Sequence, residues 1–545
     1  MGMDLIPYHK KQVLIIEDLA EMRSSMKSML ANIGVQHIET ANSGEEALKK
    51  LRNNQYDIIF SDYELGRGKD GQQILEEVRF ANLIKAQAIY ILVTAAQTMD
   101  FVMGALEYEP DGYITKPVTL DILRSRLNRI VRTKEVYRDI NKGIDANDIN
   151  KALDACNRLA VEKPKFALPA YRIKGKILLD NKRYEEAKDI YDTVLGIKRV
   201  AWAILGMGKV QYHLGEYDEA QELLESLAKT KAKYVEAHDW LAKVLEMQGK
   251  YKAAQKVLME AVENSPKVVS RQQNLGRIAE LNGDMEIMWK AYRKAVALGQ
   301  NSCFAQAEPY IGLAKSLQPK IKGGSMRDKK LCTNEALNLI EHARTNFELN
   351  TMDSLKCALV EAETLFNSGK ELEGKLAYKA AQSIMDNSTD LTMDNLIDAY
   401  NAKLKFEEEA EALKYGERLL EDIGNNKRLQ IKYYKVMESY LAGQPERRLE
   451  MMKKRGEELI ERDDTEDAIE LLERATALKV ADDESKLMLL KAYTAKFAKG
   501  RSDPQQLEDA DVLAKQLAAM PQDNPLFPTV ERCLKQWKEV SGGNE

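Results

Sequence analysis

The 545-residue chain has only five cysteines, Cys156, Cys303, Cys332, Cys357 and Cys533, and they are scattered. No two form a CxxC pair and no histidine pair stands beside them, so a zinc site of ordinary spacing is excluded and a reduced chain is the simplest expectation. Histidine is as scarce, five in all and none grouped. Bulk charge of one sign is also missing. The 81 basic and 86 acidic residues leave a net charge of −5, so no general positive field exists to hold nucleic acid or acidic lipid. No apolar run approaches the ~20 residues that a membrane helix needs, and the opening "MGMDLIPYHKKQ" lacks the apolar core of a signal peptide. These absences lead to the expectation of a soluble, cytoplasmic protein with no DNA and no membrane among its partners.

Aromatics are few and charged residues many, the balance of a helix-rich protein. The length allows several cores, or one domain joined to a long array. The first 134 residues alternate strand and helix signals. Strand-like runs are "VLIIED" (13 to 18), "HIETA" (37 to 41), "YDIIFSD" (56 to 62), "AIYILVTA" (88 to 95) and "GYITKP" (112 to 117). Helical periodicity fills the gaps, as in "AEMRSSMKSMLANIG", where Met22, Met26, Met29 and Ile33 share a face before Gly34 ends it. Five strands alternating with helices predict an α/β doubly wound parallel sheet, whose functional groups gather at the carboxyl ends of the strands.

Polar residues stand at those ends. The first strand runs into Glu17 and Asp18, the third ends in Asp62, the fourth in Thr94 and the fifth in Lys116. Three carboxylates on one edge repel one another unless a cation lies among them, and oxygen-only ligands suit Mg²⁺. Lys116 and Thr94 then offer a positive charge and a hydrogen bond to an anion, which a phosphoryl group on Asp62 would meet.

"IIEDLAEMR", "IIFSDYEL", "ILVTAA" and "GYITKP" together resemble, in order and spacing, the receiver domain of bacterial two-component response regulators over roughly residues 11 to 134. The resemblance implies a flavodoxin-like, five-stranded parallel sheet of order 2-1-3-4-5. It implies Asp62 as phosphoacceptor, served by a cognate sensor histidine kinase or phosphotransfer protein. Mg²⁺ would be held by Glu17, Asp18, Asp62 and the backbone carbonyl of Glu64. Lys116 would pair with the phosphoryl oxygens, Thr94 would hydrogen-bond them, and Tyr113 would be the switch aromatic that follows Thr94 inward. A homodimer is compatible with the family. No enzymatic turnover beyond slow autodephosphorylation is expected. Two segments depart from the family pattern. The loop after Asp62, "YELGRGKDG", lacks the usual Met-Pro step and is one residue longer; "LEYEPDGY" (106 to 113) lacks the usual small-residue pair. The first bears on phosphoryl lifetime and the second on the face by which receivers signal.

Beyond residue 134 the strand signal ends and a repeat close to 34 residues takes over. "YRIKGKILLDNKRYEEAKDIYDTVL", "ILGMGKVQYHLGEYDEAQELLESL", "HDWLAKVLEMQGKYKAAQKVLMEA" and "QQNLGRIAELNGDMEIMWKAYRKA" align with small residues at Gly175, Gly208, Ala242 and Gly276. Small residues recur at Ala187, Ala220 and Ala254, with Met288 in the fourth place; large ones recur at Tyr184, Tyr217 and Tyr251, with Met285. Small residues let paired helices approach and large ones fill the grooves. These spacings resemble the tetratricopeptide repeat. Four repeats are clear over 168 to 300, and 150 to 164 reads as the second half of a poorer one. The expected division is receiver 1 to 134, repeats 135 to 300 and degenerate helical repeats 301 to 545, with weaker matches at 366 to 381 and 449 to 478. "KIKGGSMRDKK" (320 to 330) is expected to be a loop that divides the array.

The residue after each small position is basic: Lys176, Lys209, Lys243 and Arg277. By resemblance this position faces the concave side, so the four would form a ladder for a protein or acidic peptide, with Trp202, Leu205 and Tyr212 as apolar neighbours. No helix-turn-helix pattern, glycine-rich phosphate loop or cyclic-dinucleotide enzyme motif follows the receiver. Two functions compete on this reading. One is a response regulator whose output is protein binding by the solenoid. The other is a sink that drains a phosphorelay by competing with another regulator. RNA binding through helical repeats is disfavoured by the acidic balance.

Overall fold

The computed structural model describes residues 6–95, 107–231, 234–388, 391–424, 426–499 and 503–541. The chain divides into two compact units, Met1–Asn395 and Leu396–Glu545.

Five parallel strands, β1 (Gln12–Ile16), β2 (His37–Ala41), β3 (Ile58–Asp62), β4 (Ile89–Ala95) and β5 (Gly112–Lys116), form one sheet of order β2-β1-β3-β4-β5. The central strands are buried on both faces, which is why their sequences are continuous apolar runs. Alternate side chains feed two cores. On one face Leu14, Ile16, Ile59, Tyr90 and Leu92 meet α2 (Gly44–Asn53) and α3 (Gly71–Phe80) through Leu48, Leu51, Ile74 and Val78. On the other, Val13, Ile15, Phe60, Ile91 and Ile114 meet α1 (Ala20–Ile33) through Met26 and Leu30 and the helix Leu120–Val136 through Leu123 and Leu127. Gly34 ends α1 in the left-handed region at φ 103°, where glycine lacks the Cβ penalty. Met22, expected on the inner face, is exposed in the first turn of α1, and the buried contact of this helix is made further along it by Met26 and Leu30.

After Lys116 the described residues hold no strand. The helix Leu120–Val136 is followed, after Tyr137 alone, by the short helix Arg138–Asp145, so no flexible linker separates sheet from solenoid. Gly143 on this short helix lies so close to Ile149–Glu162 that a Cβ would stand 2.7 Å from the Ala152 nitrogen. Four helix pairs follow: Ala167–Asp180 with Tyr184–Ile197, Ala201–Leu214 with Tyr217–Thr230, Val235–Met247 with Tyr251–Asn264, and Val269–Asn282 with Met285–Gly299. The small positions make the close approaches that the repeat demands. A Cβ on Gly276 would lie 2.7 Å from the Tyr292 ring, and Ala187, Ala220 and Ala254 are fully buried.

The expected loop at 320 to 330 is helical except for two residues. Gln318–Gly323 and Met326–Asn346 are separated by Gly324, in extended backbone, and Ser325, whose hydroxyl caps the second helix by accepting from the Asp328 amide. A two-residue break suffices because Ser325 satisfies the new helix end. The compact units divide instead within the helix Met393–Phe406. In the second unit the helices continue to Val540 around Leu459, Leu472, Leu490, Tyr493, Leu517 and Trp537. No described helix is long and apolar enough to cross a membrane.

Candidate functional site

The polar strand ends converge. Parallel register sets Ile16 beside Ser61 and Asp62 beside Val93, so Glu17, just past β1, comes level with the end of β3. Glu17 and Asp62 are each 5 % exposed. Carboxylate oxygens of Glu17, Asp18 and Asp62 lie within 4.8 Å of one another. The β4–β5 register pairs Thr94 with Thr115 and Ala95 with Lys116. From there the Lys116 ammonium reaches across the strand ends, 2.9 Å from Asp62 Oδ2 and 3.0 Å from Glu17 Oε2. Thr94 is buried, with its hydroxyl 3.3 Å from the Ala95 carbonyl. Glu64 is exposed in the loop that leaves β3. Tyr113, the expected switch aromatic, is 36 % exposed.

The electrostatics record crowding. Burial pushes the Asp62 carboxyl up to about 6; the Lys116 hydrogen bond opposes this and the Glu17 charge adds to it. Burial works against the Lys116 ammonium, but hydrogen bonds to Asp62 and Glu17 outweigh it, and its pKa lies above the usual lysine value. The Lys116 ammonium pairs with two of the three carboxylates and the Arg23 guanidinium donates to the Glu17 and Asp18 carbonyls, leaving negative charge in excess among oxygen-only donors, a set that fits a hard divalent cation such as Mg²⁺. A second acidic group, Glu450, Asp482 and Glu484, differs in that the Lys453 ammonium pairs with all three.

The two segments that depart from the receiver pattern both meet the solenoid. In the loop after Asp62, Lys69 donates to the Asn301 carbonyl, Asn301 Nδ2 donates to the Gly68 carbonyl at 3.2 Å, and the Lys267 ammonium lies 5.4 Å from the Tyr63 ring centroid. In the segment before β5, Glu109 receives Arg172 Nη2 and Lys176 Nζ at 2.7 Å each, and Glu107 Oε2 receives Arg271 Nη2 at 2.8 Å. Between those carboxylates the Tyr108 ring stacks on Phe304 at 6.4 Å, and Phe80 at the end of α3 meets Phe304 edge-on at 5.4 Å. Burial raises the Glu107 carboxyl while Arg271 pulls it back. For Glu109 burial is likewise the largest influence, yet Lys176, Arg172 and Arg79 together bring it below the ordinary range.

A buried hydrogen-bond chain joins the site to this contact. The Tyr63 hydroxyl donates to Gln72 Oε1 at 3.3 Å, Gln72 Nε2 to Glu76 Oε1 at 2.9 Å, and the Ser302 hydroxyl, on the solenoid, to Glu76 Oε2 at 3.2 Å. Tyr108 also hydrogen-bonds Glu76. The start of α3 is locked to the same strand end, since a Cβ on Gly71 would stand 2.2 Å from the Asp62 carbonyl oxygen.

Of the expected groove ladder, Lys176 is engaged by Glu109 of the receiver. Lys209 pairs with Glu236, Lys243 lies 4.1 Å from the Trp240 ring centroid, and Arg277 Nη2 is 2.8 Å from Glu246 Oε2. Tyr212 meets Trp240 edge-on at 5.5 Å, whereas Trp202 packs on Tyr191 in the repeat core. Sequence reasoning missed Glu76, Glu107, Glu109, Trp240, Arg271, Ser302 and Phe304. The one signal that pointed at any of them was "LEYEPDGY", where two glutamates flank a tyrosine in place of small residues.

Residues 13–128 match the family model of the response regulator receiver domain, and residues 178–239 and 211–277 match that of the tetratricopeptide repeat. Chemotaxis protein CheY of Pseudomonas aeruginosa is 28% identical over 119 residues, 22% of this chain and 94% of that protein. Chemotaxis protein CheY-3 of Vibrio cholerae is 27% identical over 128 residues, 24% of this chain and 97% of that protein. Among solved structures, the Francisella response regulator 1452 receiver domain is similar at 26% identity over 23% of this chain and 98% of that one, with a TM-score of 0.21.

Proposed function

We propose that this chain, a receiver domain followed by tetratricopeptide repeats, is a phosphorylation-controlled response regulator whose output is protein binding by the solenoid. The observation that carries the reading is the placement of Asp62 at a buried strand end, between the carboxylates of Glu17 and Asp18 and the Lys116 ammonium at 2.9 Å. As a carboxylate, Asp62 attacks the phosphorus of a sensor kinase's phosphohistidine. An O–P bond forms, the P–N bond breaks, and the imidazole nitrogen leaves with the electron pair and takes a proton from solvent. Glu17, Asp18, Asp62 and the Glu64 carbonyl would hold Mg²⁺, which supplies charge neutralisation for the transferred group. Lys116 exchanges its bond to the Asp62 carboxylate for one to a phosphoryl oxygen, and the Thr94 hydroxyl donates a second. Nothing in this chemistry requires turnover of a substrate, so the chain acts as an acceptor of phosphate.

The experiment is treatment with acetyl phosphate and Mg²⁺, followed by intact mass and peptide mapping. The wild type gains one phosphoryl group on Asp62, and Asp62→Ala gains none. Equal labelling of Asp62→Ala would overturn the assignment.

A further inference from the structure

We infer that the solenoid face formed by Arg172, Lys176, Arg271 and Phe304 is a binding site for a protein segment with two carboxylates flanking an aromatic side chain, and that the receiver's own Glu107-Tyr108-Glu109 occupies it. The inference rests on the reading of the chain as a response regulator with a binding output, and it names the class of partner.

Each member of the triplet has its own receptor. Glu107 meets Arg271, which is 1 % exposed and already held by Asp239 through two hydrogen bonds, of 2.9 Å from Nε and 2.6 Å from Nη2. A planar guanidinium fixed in this way is preorganised for a further carboxylate. Tyr108 meets Phe304, and Glu109 meets Arg172 and Lys176 on the first clear repeat. The receptor thus runs from the first repeat to the end of the fourth and reads charge, ring and charge. The occupant is bent to fit. Glu109 has φ 50°, a left-handed conformation uncommon for a residue with a side chain, and Arg79 holds it there by donating to the Glu109 carbonyl at 2.9 Å and to the Tyr108 carbonyl at 3.4 Å. Strain held in a docked segment favours its replacement by a ligand that reaches the same partners without it.

Occupancy is tied to the acceptor site. The Tyr63–Gln72–Glu76 chain begins one residue after Asp62 and ends on Ser302 and Tyr108, so a shift at the end of β3 moves groups on both sides of the contact. A tethered segment competes at high effective concentration, and an outside segment binds only in proportion to the fraction of sites it vacates.

The test uses a fluorescent peptide of residues 104 to 113, "GALEYEPDGY", titrated into the full chain and read by anisotropy. Glu107→Gln with Glu109→Gln empties the site without touching the phosphoacceptor, so this variant binds the peptide at least about tenfold more tightly than the wild type. Adding Arg172→Ala and Lys176→Ala to it abolishes the gain. Equal binding by wild type and double variant, or a gain that survives loss of Arg172 and Lys176, overturns the inference. Beryllofluoride with Mg²⁺ raises binding to the wild type. If it has no effect while the double variant still binds tightly, the failure lies in phosphorylation control and the surface stands.

Discussion

The Arg271 guanidinium in the fourth repeat lies 2.8 Å from the Glu107 carboxylate of the receiver, 164 residues away, and joins the two domains through one of the most buried side chains in the chain. Arg271 also pairs with Asp239 and donates to the Ser265 carbonyl at 3.2 Å. Removing one member of a buried charged network costs about 3–5 kcal/mol, because the remaining charges are left desolvated. Arg271→Ala is expected to lose that much in urea unfolding of the first unit, and Glu107→Gln, which leaves the Asp239 pair intact, well under half of it.

Glu76→Gln is expected to separate phosphorylation from docking. The variant keeps every group at the Asp62 site but weakens the acceptor that Ser302 and Tyr108 share. Phosphorylation by acetyl phosphate should proceed as in the wild type, while the effect of beryllofluoride on peptide binding should fall toward none. A full beryllofluoride effect in Glu76→Gln would show that the hydrogen-bond chain is not the route.

Cys303 reports the contact from the solenoid side. Burial, with Glu76 and Glu77 of the receiver adding to it, pushes its thiol up to about 11 from an ordinary 9.0. The thiolate is thus about a hundredfold scarcer near pH 8 than in an unshifted cysteine, and its fraction rises tenfold per pH unit until the pKa is reached. Alkylation at Cys303 should be slow at pH 8 and faster at pH 9 by about tenfold. It should also speed up at constant pH in Glu107→Gln with Glu109→Gln. A rate unchanged by undocking would place Cys303 outside the interface.

The repeat packing gives a paired prediction. A Cβ on Gly206 would stand 2.3 Å from the Tyr191 ring, whereas one on Gly196 meets nothing within 4 Å. Gly206→Ala should therefore destabilise the first unit by about 1–3 kcal/mol through overpacking. Gly196→Ala should stabilise its helix by up to about 1 kcal/mol. Thermal unfolding of the two variants checks the sign of each.

The sheet and the cluster of acidic groups at its strand ends were legible because these groups stand where apolar strands end in sequence. "VLIIED" and "IIFSD" announce both the strand and the carboxylates at its end, and the parallel topology brings those ends together. The repeats were legible because Gly175, Gly208 and Gly276 recur at the spacing of paired helices. Docking was not. Glu76 reads locally as a solvated helix acid, and Ser302, which bonds it, stands 226 residues away. Lys176 and Arg277 share a pattern in sequence but not a partner, since one meets the receiver and the other Glu246 of its own array. The loop expected at 320 to 330 failed because a glycine pair flanked by a capping serine needs only two residues to restart a helix.

The most direct measurement is hydrogen exchange of the full chain with and without beryllofluoride and Mg²⁺, in wild type and Asp62→Ala. If a phosphoryl group at Asp62 governs the contact, amides of residues 107–109, 111 and 298–304 should become less protected together in the wild type, by about tenfold or more, and stay unchanged in Asp62→Ala. Unchanged protection in the wild type, with fluorine resonance showing beryllofluoride bound at Asp62, would contradict the account.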